Sequence, residues 1–372
     1  MVGNPQRHFA SVHVGGTNGK GSTAAFLAAV LRAEGLRTGL YTSPHLVSFA
    51  ERMQVDGVPA PEAAIAAWTA RLEQDAERLN ASFFEITTVI AFADFAARGA
   101  EIAVVEVGLG GRLDSTNVIL PLAAGVTRIA LEHTEYLGHD LAGIAREKAA
   151  IAKPGVPFLT TETNATLLAA MRDVVQKAGT GMIEVDPANA AGRPLGLRGP
   201  HQVANASLAM ALADALPPPF RPGSEAVAAG LASARIPGRF DRRGPWLFDV
   251  AHNPDGARAL VAALAAEPPP GPIVAVVAVL KDKAWPEMLE LLAGAVDELV
   301  VTRAPSAPAD RAWDLAEVAA WCKGKAVTAR VEPAFETALA HARGRGGTAI
   351  VTGSFHTVGD AMARLPGFSP PG

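Results

Sequence analysis

The stretch Val12-His13-Val14-Gly15-Gly16-Thr17-Asn18-Gly19-Lys20-Gly21-Ser22-Thr23 runs from an apolar strand through a glycine-rich loop into an Ala/Leu-rich helix. Glycines let backbone N–H groups converge on an anion, and the following helix presents its positive end. Lys20 adds a mobile charge, and a hydroxyl is within reach of Mg²⁺. The stretch reads as a phosphate cradle. Its spacing departs from G-x-x-x-x-G-K-[ST]: the loop is shorter, and Ser22 comes two residues after Lys20 rather than one. A glycine-rich turn with a chance lysine is the bland alternative, and it leaves the ordered series of strand, glycines, lysine, hydroxyl and helix unexplained.

Beyond this loop, short β-rich apolar runs alternate with longer segments of helical period, the pattern of a mostly parallel sheet with helices on its faces; the fold class is α/β. Strands are expected over 11–14, 38–41, 102–107, 124–129 and 157–160, with helices over 22–34, 61–80, 87–97 and 165–178. Residues 179–200 are rich in Gly, Pro and small polar types and read as loop; 201–216 reads as a helix. Alternation restarts with strands over 246–250, 273–279, 298–302, 327–331 and 348–352, separated by amphipathic segments beginning near Asp255, Trp285, Ala309 and Pro333. The Ile236-Pro237-Gly238-Arg239 turn precedes this second unit, so domains are expected at 1–235 and 236–372.

A length of 372 residues, at roughly 100–200 per domain, suits that division. With 49% hydrophobic and 19% charged residues, a disordered, collagen-like or coiled-coil chain is excluded. A net charge of -4 lacks the basic footprint of binding to nucleic acid or anionic membrane, so neither partner is expected. The single cysteine, Cys322, cannot form an internal disulfide or a multi-thiolate metal site, which suits a reducing cytosol. The first residues lack the apolar core of a signal peptide, and no run has the length of a membrane span. A cytoplasmic location is expected.

Several residues carry chemistry by position. Glu106 ends an apolar strand before Gly108-Leu109-Gly110-Gly111, where α/β sheets bind ligands; it suits Mg²⁺, or alternatively caps the next turn. Leu113 stands where a dinucleotide fingerprint needs its third glycine, so that reading fails. His133 also follows an apolar run and is open to a structural reading. Lys148 lies in an Ala/Ile-rich segment, where desolvation lowers a lysine pKa and lets the neutral amine take up CO₂ as a carbamate, a metal-binding anion. The alternative is a snorkelling surface lysine paired with Glu147 or Asp140. Asp249 ends a strand and is open to capping a helix near Pro254, His252 to packing, Arg239 to a surface role, and Phe83 and Phe84 to the core.

The variant Gly-Thr-Asn-Gly-Lys-Gly-Ser at 16–22 resembles the Mur ligase superfamily, specifically its folate branch of folylpolyglutamate and dihydrofolate synthases. The likeness continues in order through Ser43-Pro44-His45-Leu46 with Glu51-Arg52, Phe83-Phe84-Glu85, Glu106 to Asp114, Glu132-His133-Thr134 and Arg146-Glu147-Lys148-Ala149. It extends through His201-Gln202 with Asn205, Ile236-Pro237-Gly238-Arg239, Asp249-Val250-Ala251-His252-Asn253-Pro254 and Gly353-Ser354, nearly the whole chain.

The resemblance implies an N-terminal P-loop ATPase-type domain with a mostly parallel sheet and a smaller C-terminal Rossmann-like α/β domain, the Mur ligase architecture. It implies ATP on Gly16, Thr17, Asn18, Gly19, Lys20, Gly21 and Ser22, and Mg²⁺ on Ser22, Glu106 and His133. A second Mg²⁺ falls to carbamylated Lys148. Asn205 then approaches adenine, Asp249 the ribose and Arg239 the γ-phosphate, with His252 beside the triphosphate. Ser43, Pro44, His45, Phe84 and Asp114 would meet the pterin; Ser115 stands where the family commonly has alanine. Ser354 and His356 are candidates for glutamate, with helix capping equally open. A leading helical segment is implied before the loop, and 2–6 looks like its tail.

The implied activity is ATP-dependent amide formation: dihydropteroate or tetrahydrofolate is activated as an acyl phosphate, and L-glutamate displaces phosphate. Lys20, Lys148, Arg239 and His252 are the expected catalytic residues. A bifunctional dihydrofolate and folylpolyglutamate synthase comes first, and a monofunctional synthase of either kind second. Third is a peptidoglycan-precursor ligase and, from another class, a P-loop regulatory ATPase. A monomer is expected.

Overall fold

The computed structural model describes residues 2–365. Eight strands from the first part of the chain form one sheet: β1 (Ala10–Gly15), β2 (Thr38–Tyr41), β3 (Met53–Val55), β4 (Val58–Pro59), β5 (Ile102–Glu106), β6 (Ala123–Val126), β7 (Phe158–Thr160) and β8 (Met182–Glu184). Their order is β4-β3-β2-β5-β1-β6-β7-β8, parallel except at β2–β3 and β3–β4. The antiparallel edge is made by Asp56-Gly57, whose φ values of 55° and 79° form a two-residue hairpin of the kind an Asp-Gly pair favours. Because β1 lies between β5 and β6, successive connections leave it in opposite directions. A crevice therefore opens at its carboxyl end, under the glycine-rich loop.

Helix α1 (Lys20–Ala33) leaves that loop and is buried along most of its length, from Gly21 to Leu31. It reads as Ala/Leu-rich all round because the helices Gln202–Asp214 and Ser224–Ser233 cover the flank that the sheet does not. The fit leaves no room for a side chain at Gly230 against the backbone of Val30. Phe26, Leu27, Val30 and Leu31 are fully buried, each contributing about 1.5–3 kcal/mol through apolar area removed from water. The end of α1 that leaves the glycine-rich loop is thus anchored to a packed core.

Six strands form the second sheet: β9 (Asp241–Arg243), β10 (Trp246–Phe248), β11 (Ile273–Val277), β12 (Glu298–Val301), β13 (Ala329–Val331) and β14 (Thr348–Thr352), in the order β13-β12-β11-β14-β10-β9. All pairs are parallel except β9–β10. The carboxyl ends of β10 and β14 face those of β1 and β5 across the space between the lobes, as the shared lining of one cavity demonstrates.

Three expectations move. The segment read as loop at 179–200 contributes the edge strand β8. The helix expected from 87 begins at Phe83, because Ser82 and Glu85 form a reciprocal capping box. The helix expected near Ala309 begins at Leu315, where the Asp314 carboxylate accepts from the Ala316 N–H. None of the described helices is long and apolar enough to cross a membrane.

Candidate active site

The loop after β1 is held by the backbone that leaves β6. The Thr17 N–H donates to the Arg128 carbonyl at 2.9 Å, and the Thr17 hydroxyl donates to the Ala130 carbonyl at 3.1 Å. Gly16 sits at φ 133°, and any Cβ there would collide with the Thr127 side chain. Lys20 folds back across the loop, its Nζ donating to the Thr17 carbonyl at 2.9 Å. Gly16→Ala should therefore cost about 2–4 kcal/mol from backbone strain plus overpacking, and abolish nucleotide binding. Thermal unfolding and titration with an ATP analogue check this; unchanged affinity would show that the loop is not the phosphate site.

Glu106 is buried at the end of β5, where its Oε2 accepts from the Ser43 N–H at 3.1 Å. Its carboxylate lies against the first turn of α1, 3.4 Å from where a Cβ on Gly21 would stand. Burial pushes its pKa up, while Lys20, the Ser43 N–H and Arg239 pull it back. His133 has φ 51°, uncommon for a residue with a side chain. Burial lowers its pKa to about 4 against the pull of Glu132, so near neutrality its imidazole offers a lone pair. Glu132 is pushed up by burial, but the bond and charge of His252 hold it well below the usual carboxylate range.

Lys148 is buried on the helix Leu141–Ala149 and donates to the Gly16 carbonyl at 2.8 Å. Burial first, then Lys20, lowers its pKa to about 7. It is not a snorkelling surface lysine: Glu147 pairs with Arg112 at 3.1 Å and Asp140 with Arg146 at 3.8 Å.

Among the described residues no three His, Cys, Asp or Glu side chains converge tightly enough to hold a bare ion. Mg²⁺ is bound through one or two carboxylates together with phosphate oxygens and water. Glu106, buried beside the glycine-rich loop and in no ion pair among the described residues, suits that pattern. Lys20, Ser22, Glu106 and His133 all line one cavity of about 980 Å³.

The second lobe closes this cavity. Asp249 accepts from the Phe240 and Ala251 N–H groups, each at 2.9 Å, and lines the cavity. It does not cap the helix Pro254–Ala266; Asn253 does, accepting from the Gly256 N–H at 2.8 Å. Arg239 lies 5.1 Å from the Phe355 ring centroid, and burial lowers its pKa against the attraction of Asp249 and Glu106. His252 places Nδ1 2.9 Å from the Val250 carbonyl and Nε2 2.6 Å from Glu132 Oε1, so both nitrogens face acceptors. Asn18 and Asn253 exchange amide hydrogen bonds at 3.3 and 3.1 Å, and Asn18 donates to Asp255 at 2.8 Å. The glycine-rich loop is thus fastened directly to the second lobe. Asn205 lines the cavity and sets its Oδ1 against Gly19, with its Nδ2 bonded to Gln202.

Ser43, Pro44 and Phe84 line the cavity; His45, Asp114 and Ser354 do not. His45 accepts from Arg52 Nε at 2.8 Å. Asp114 spends Oδ2 on the Leu109 N–H and Oδ1 on the N–H and hydroxyl of Thr116. Ser354 caps the helix Phe355–Arg364 by accepting from Thr357. Arg52, to which the sequence assigns no role, is buried, lines the cavity and stacks 5.6 Å from Phe83. A lone arginine between Ala50 and Met53 was the available signal. Glu51 accepts from the Leu46, Val47 and Ser48 N–H groups and fixes the loop that brings Ser43 to Glu106.

Residues 14–159 match the family model of the Mur ligase middle domain, and residues 238–355 that of the Mur ligase, glutamate ligase domain. The dihydrofolate synthase/folylpolyglutamate synthase of Escherichia coli is 35% identical over 365 residues, 94% of this chain and 85% of that protein. The folylpolyglutamate synthase of Mycobacterium tuberculosis, solved with ADP, superposes with a TM-score of 0.90 at 33% identity, covering 100% of this chain and 92% of that one. A bifunctional folylpolyglutamate synthase/dihydrofolate synthase solved with Mn, AMPPNP and L-glutamate gives 0.86 at 34% identity, covering 97% and 90%.

Proposed function

The chain belongs to the folylpolyglutamate synthase/dihydrofolate synthase family of Mur ligases, and on that footing we propose that it joins L-glutamate to the carboxylate of dihydropteroate and of tetrahydrofolate, with ATP and Mg²⁺. The observation that carries the reading is the meeting of Lys20, Ser22, Glu106 and His133 in one cavity to which both lobes contribute.

Lys20 and the N–H groups of Gly16 to Ser22 receive the triphosphate, and Arg239 takes the γ-phosphate from the opposite lobe. Asn205 lies toward the adenine, Asp249 toward the ribose, and His252 stands beside the phosphates. Mg²⁺ would be held by Ser22, Glu106 and His133, with carbamylated Lys148 on a second ion, and would offset charge on the transferring phosphoryl group. Phe84, Ser43 and Pro44 orient the pterin acid so that its carboxylate oxygen bonds to the γ-phosphorus as the bond to ADP breaks. The glutamate amine then attacks the acyl carbon, phosphate leaves and the amine loses a proton. Ser354 is assigned to the glutamate side, through the loop it caps. His45 and Asp114 act by holding Arg52 and the 109–116 turn.

The acyl phosphate must be shielded from water, which suits a closing cleft with its domain boundary and hinge at Pro237-Gly238, where Gly238 has φ 70°. A cytoplasmic monomer without nucleic-acid or membrane partner is proposed, supported by the net charge of -4 and the single cysteine.

Phosphate release should require the pterin acid and glutamate together, with a glutamylated product of matching mass, for dihydropteroate and tetrahydrofolate assayed separately. ATP hydrolysis indifferent to both would instead identify a regulatory ATPase.

A further inference from the structure

A second crevice, of about 610 Å³, opens from the same centre at Gly21, Ser43, Glu106 and Arg239. It runs along one stripe of α1, Gly21–Ala25–Ala28–Arg32, whose spacing of four, three and four residues keeps them on one helix face. The eleven helical steps from Gly21 to Arg32 make it about 16 Å long. The floor is small and apolar. The opposite wall, from Gly196 to Arg198 and from Ser233 to Arg243, is rich in arginine.

Charge along this path is unbalanced. Arg198 pairs with Glu267 and Arg243 with Asp241. Arg32, Arg235 and Arg242 enter no ion pair among the described residues. Arg235 donates to the carbonyls of Ala232 and Ala234, at 3.1 and 2.7 Å. Arg242 donates to the Glu267 carbonyl, lies 5.1 Å from the Phe240 ring and leaves its buried Nε without a partner. Of the lining carboxylates, Glu106 stands at the centre itself, Glu51 is consumed by three backbone N–H groups and Asp241 by Arg243. The crevice fits an extended ligand carrying several negative charges, with one end at the reacting atoms.

The proposed reaction makes such a ligand. Each γ-linked glutamate leaves a free α-carboxylate behind and becomes the new reacting end. If the terminal carboxylate always occupies the centre, the pterin moves out by one residue per addition, and a ring pocket at Phe84 serves only the shortest acids. A path lined by repeated arginines tolerates that sliding. We propose that the crevice between α1 and the 233–243 segment binds the oligo-γ-glutamate tail of the growing substrate, its α-carboxylates facing Arg32, Arg235 and Arg242. A γ-linked residue places five backbone bonds between successive amide nitrogens, about 6 Å when extended against roughly 3.5 Å for the three bonds of an α-linked one, so 16 Å takes two or three.

This inference rests on the ligase reading, and its test separates the two. In the full-length enzyme, the triple variant R32A/R235A/R242A should raise KM about tenfold for a pterin–aminobenzoyl acid bearing three γ-linked glutamates, with kcat and the dihydropteroate KM unchanged. Lysine at all three positions should recover part of the loss, and about 0.5 M salt should shrink the difference. Unchanged KM for the triglutamyl acid, or an equal rise for dihydropteroate, would overturn the proposal. Calorimetry uses free tri-γ-glutamate and inorganic tripolyphosphate as probes. Binding of the first that is lost in the triple variant supports the tail site; arginine-dependent binding of tripolyphosphate alone makes it a phosphate site and refutes it. Wild-type enzyme inert toward both dihydropteroate and tetrahydrofolate in the presence of glutamate would refute the ligase reading, and calorimetry would still decide the crevice.

Discussion

Lys148→Ala is expected to lower turnover about 10²–10³-fold, with added formate or acetate restoring part of it. The magnitude is that of removing one preorganised charge from a phosphoryl-transfer site. The physical case begins with burial: the amine lies on an apolar helix face, bonded to the Gly16 carbonyl at 2.8 Å, and its pKa falls to about 7. An amine neutral at working pH attacks CO₂ through nitrogen and loses a proton, giving an anionic carbamate at the base of the phosphate loop. Alanine leaves a gap of that size, which a small carboxylate can enter. Full activity in Lys148→Ala would exclude the role.

The same residue has a stability signature with the opposite sign. An unfolded lysine titrates at its ordinary value of 10.5 and this one at about 7, so between those values the unfolded chain binds the extra proton. Native stability should rise with pH across that window and level off below about 7, where both states are charged. Lys148→Met should remove the slope and, near pH 7.5, raise Tm by several degrees while destroying activity. A lower Tm would mean that the bond to Gly16 outweighs the cost of burying the amine. Wild-type activity should fall as pH drops below about 7, when the protonated amine no longer takes up CO₂.

Lys20→Met carries the second large effect. Its ammonium is the largest attraction acting on Glu106 and also acts on Glu132, and it lies across the loop on the Thr17 carbonyl. The site loses the charge meant for the transferring phosphoryl group and leaves Glu106 less compensated. We expect kcat/KM to fall by about 10³ and affinity for an ATP analogue by about tenfold or more. Arginine should not rescue, because a rigid planar fork does not fit where a point charge folds back on the loop. Stopped-flow phosphate release and analogue titration measure the two terms; loss of affinity alone would reduce Lys20 to a binding residue.

The parts legible in sequence are those fixed locally. β1, the loop and α1 result from glycine placement and apolar period, and β2 and β14 span the residues expected. Helix starts at Phe83 and Leu315 moved because a capping residue, rather than the apolar pattern, sets the first turn. Residues at the site were harder to read. His45, Asp114 and Ser354 sit in the right segments, yet they do not line the cavity, and they bond instead to Arg52, Thr116 and Thr357. Sequence proximity to a site does not distinguish lining from support. The fastening of Asn18 to Asn253 and of Glu132 to His252 joins positions more than a hundred residues apart, and no local pattern announces it.

The most direct test is a crystal of this protein with Mn²⁺ and a non-hydrolysable ATP analogue, read by anomalous scattering. A manganese peak is expected within bonding distance of Glu106 and His133, in contact with phosphates held by Lys20 and the N–H groups of the loop. A nucleotide seated elsewhere, or a metal bonded to neither side chain, would contradict it.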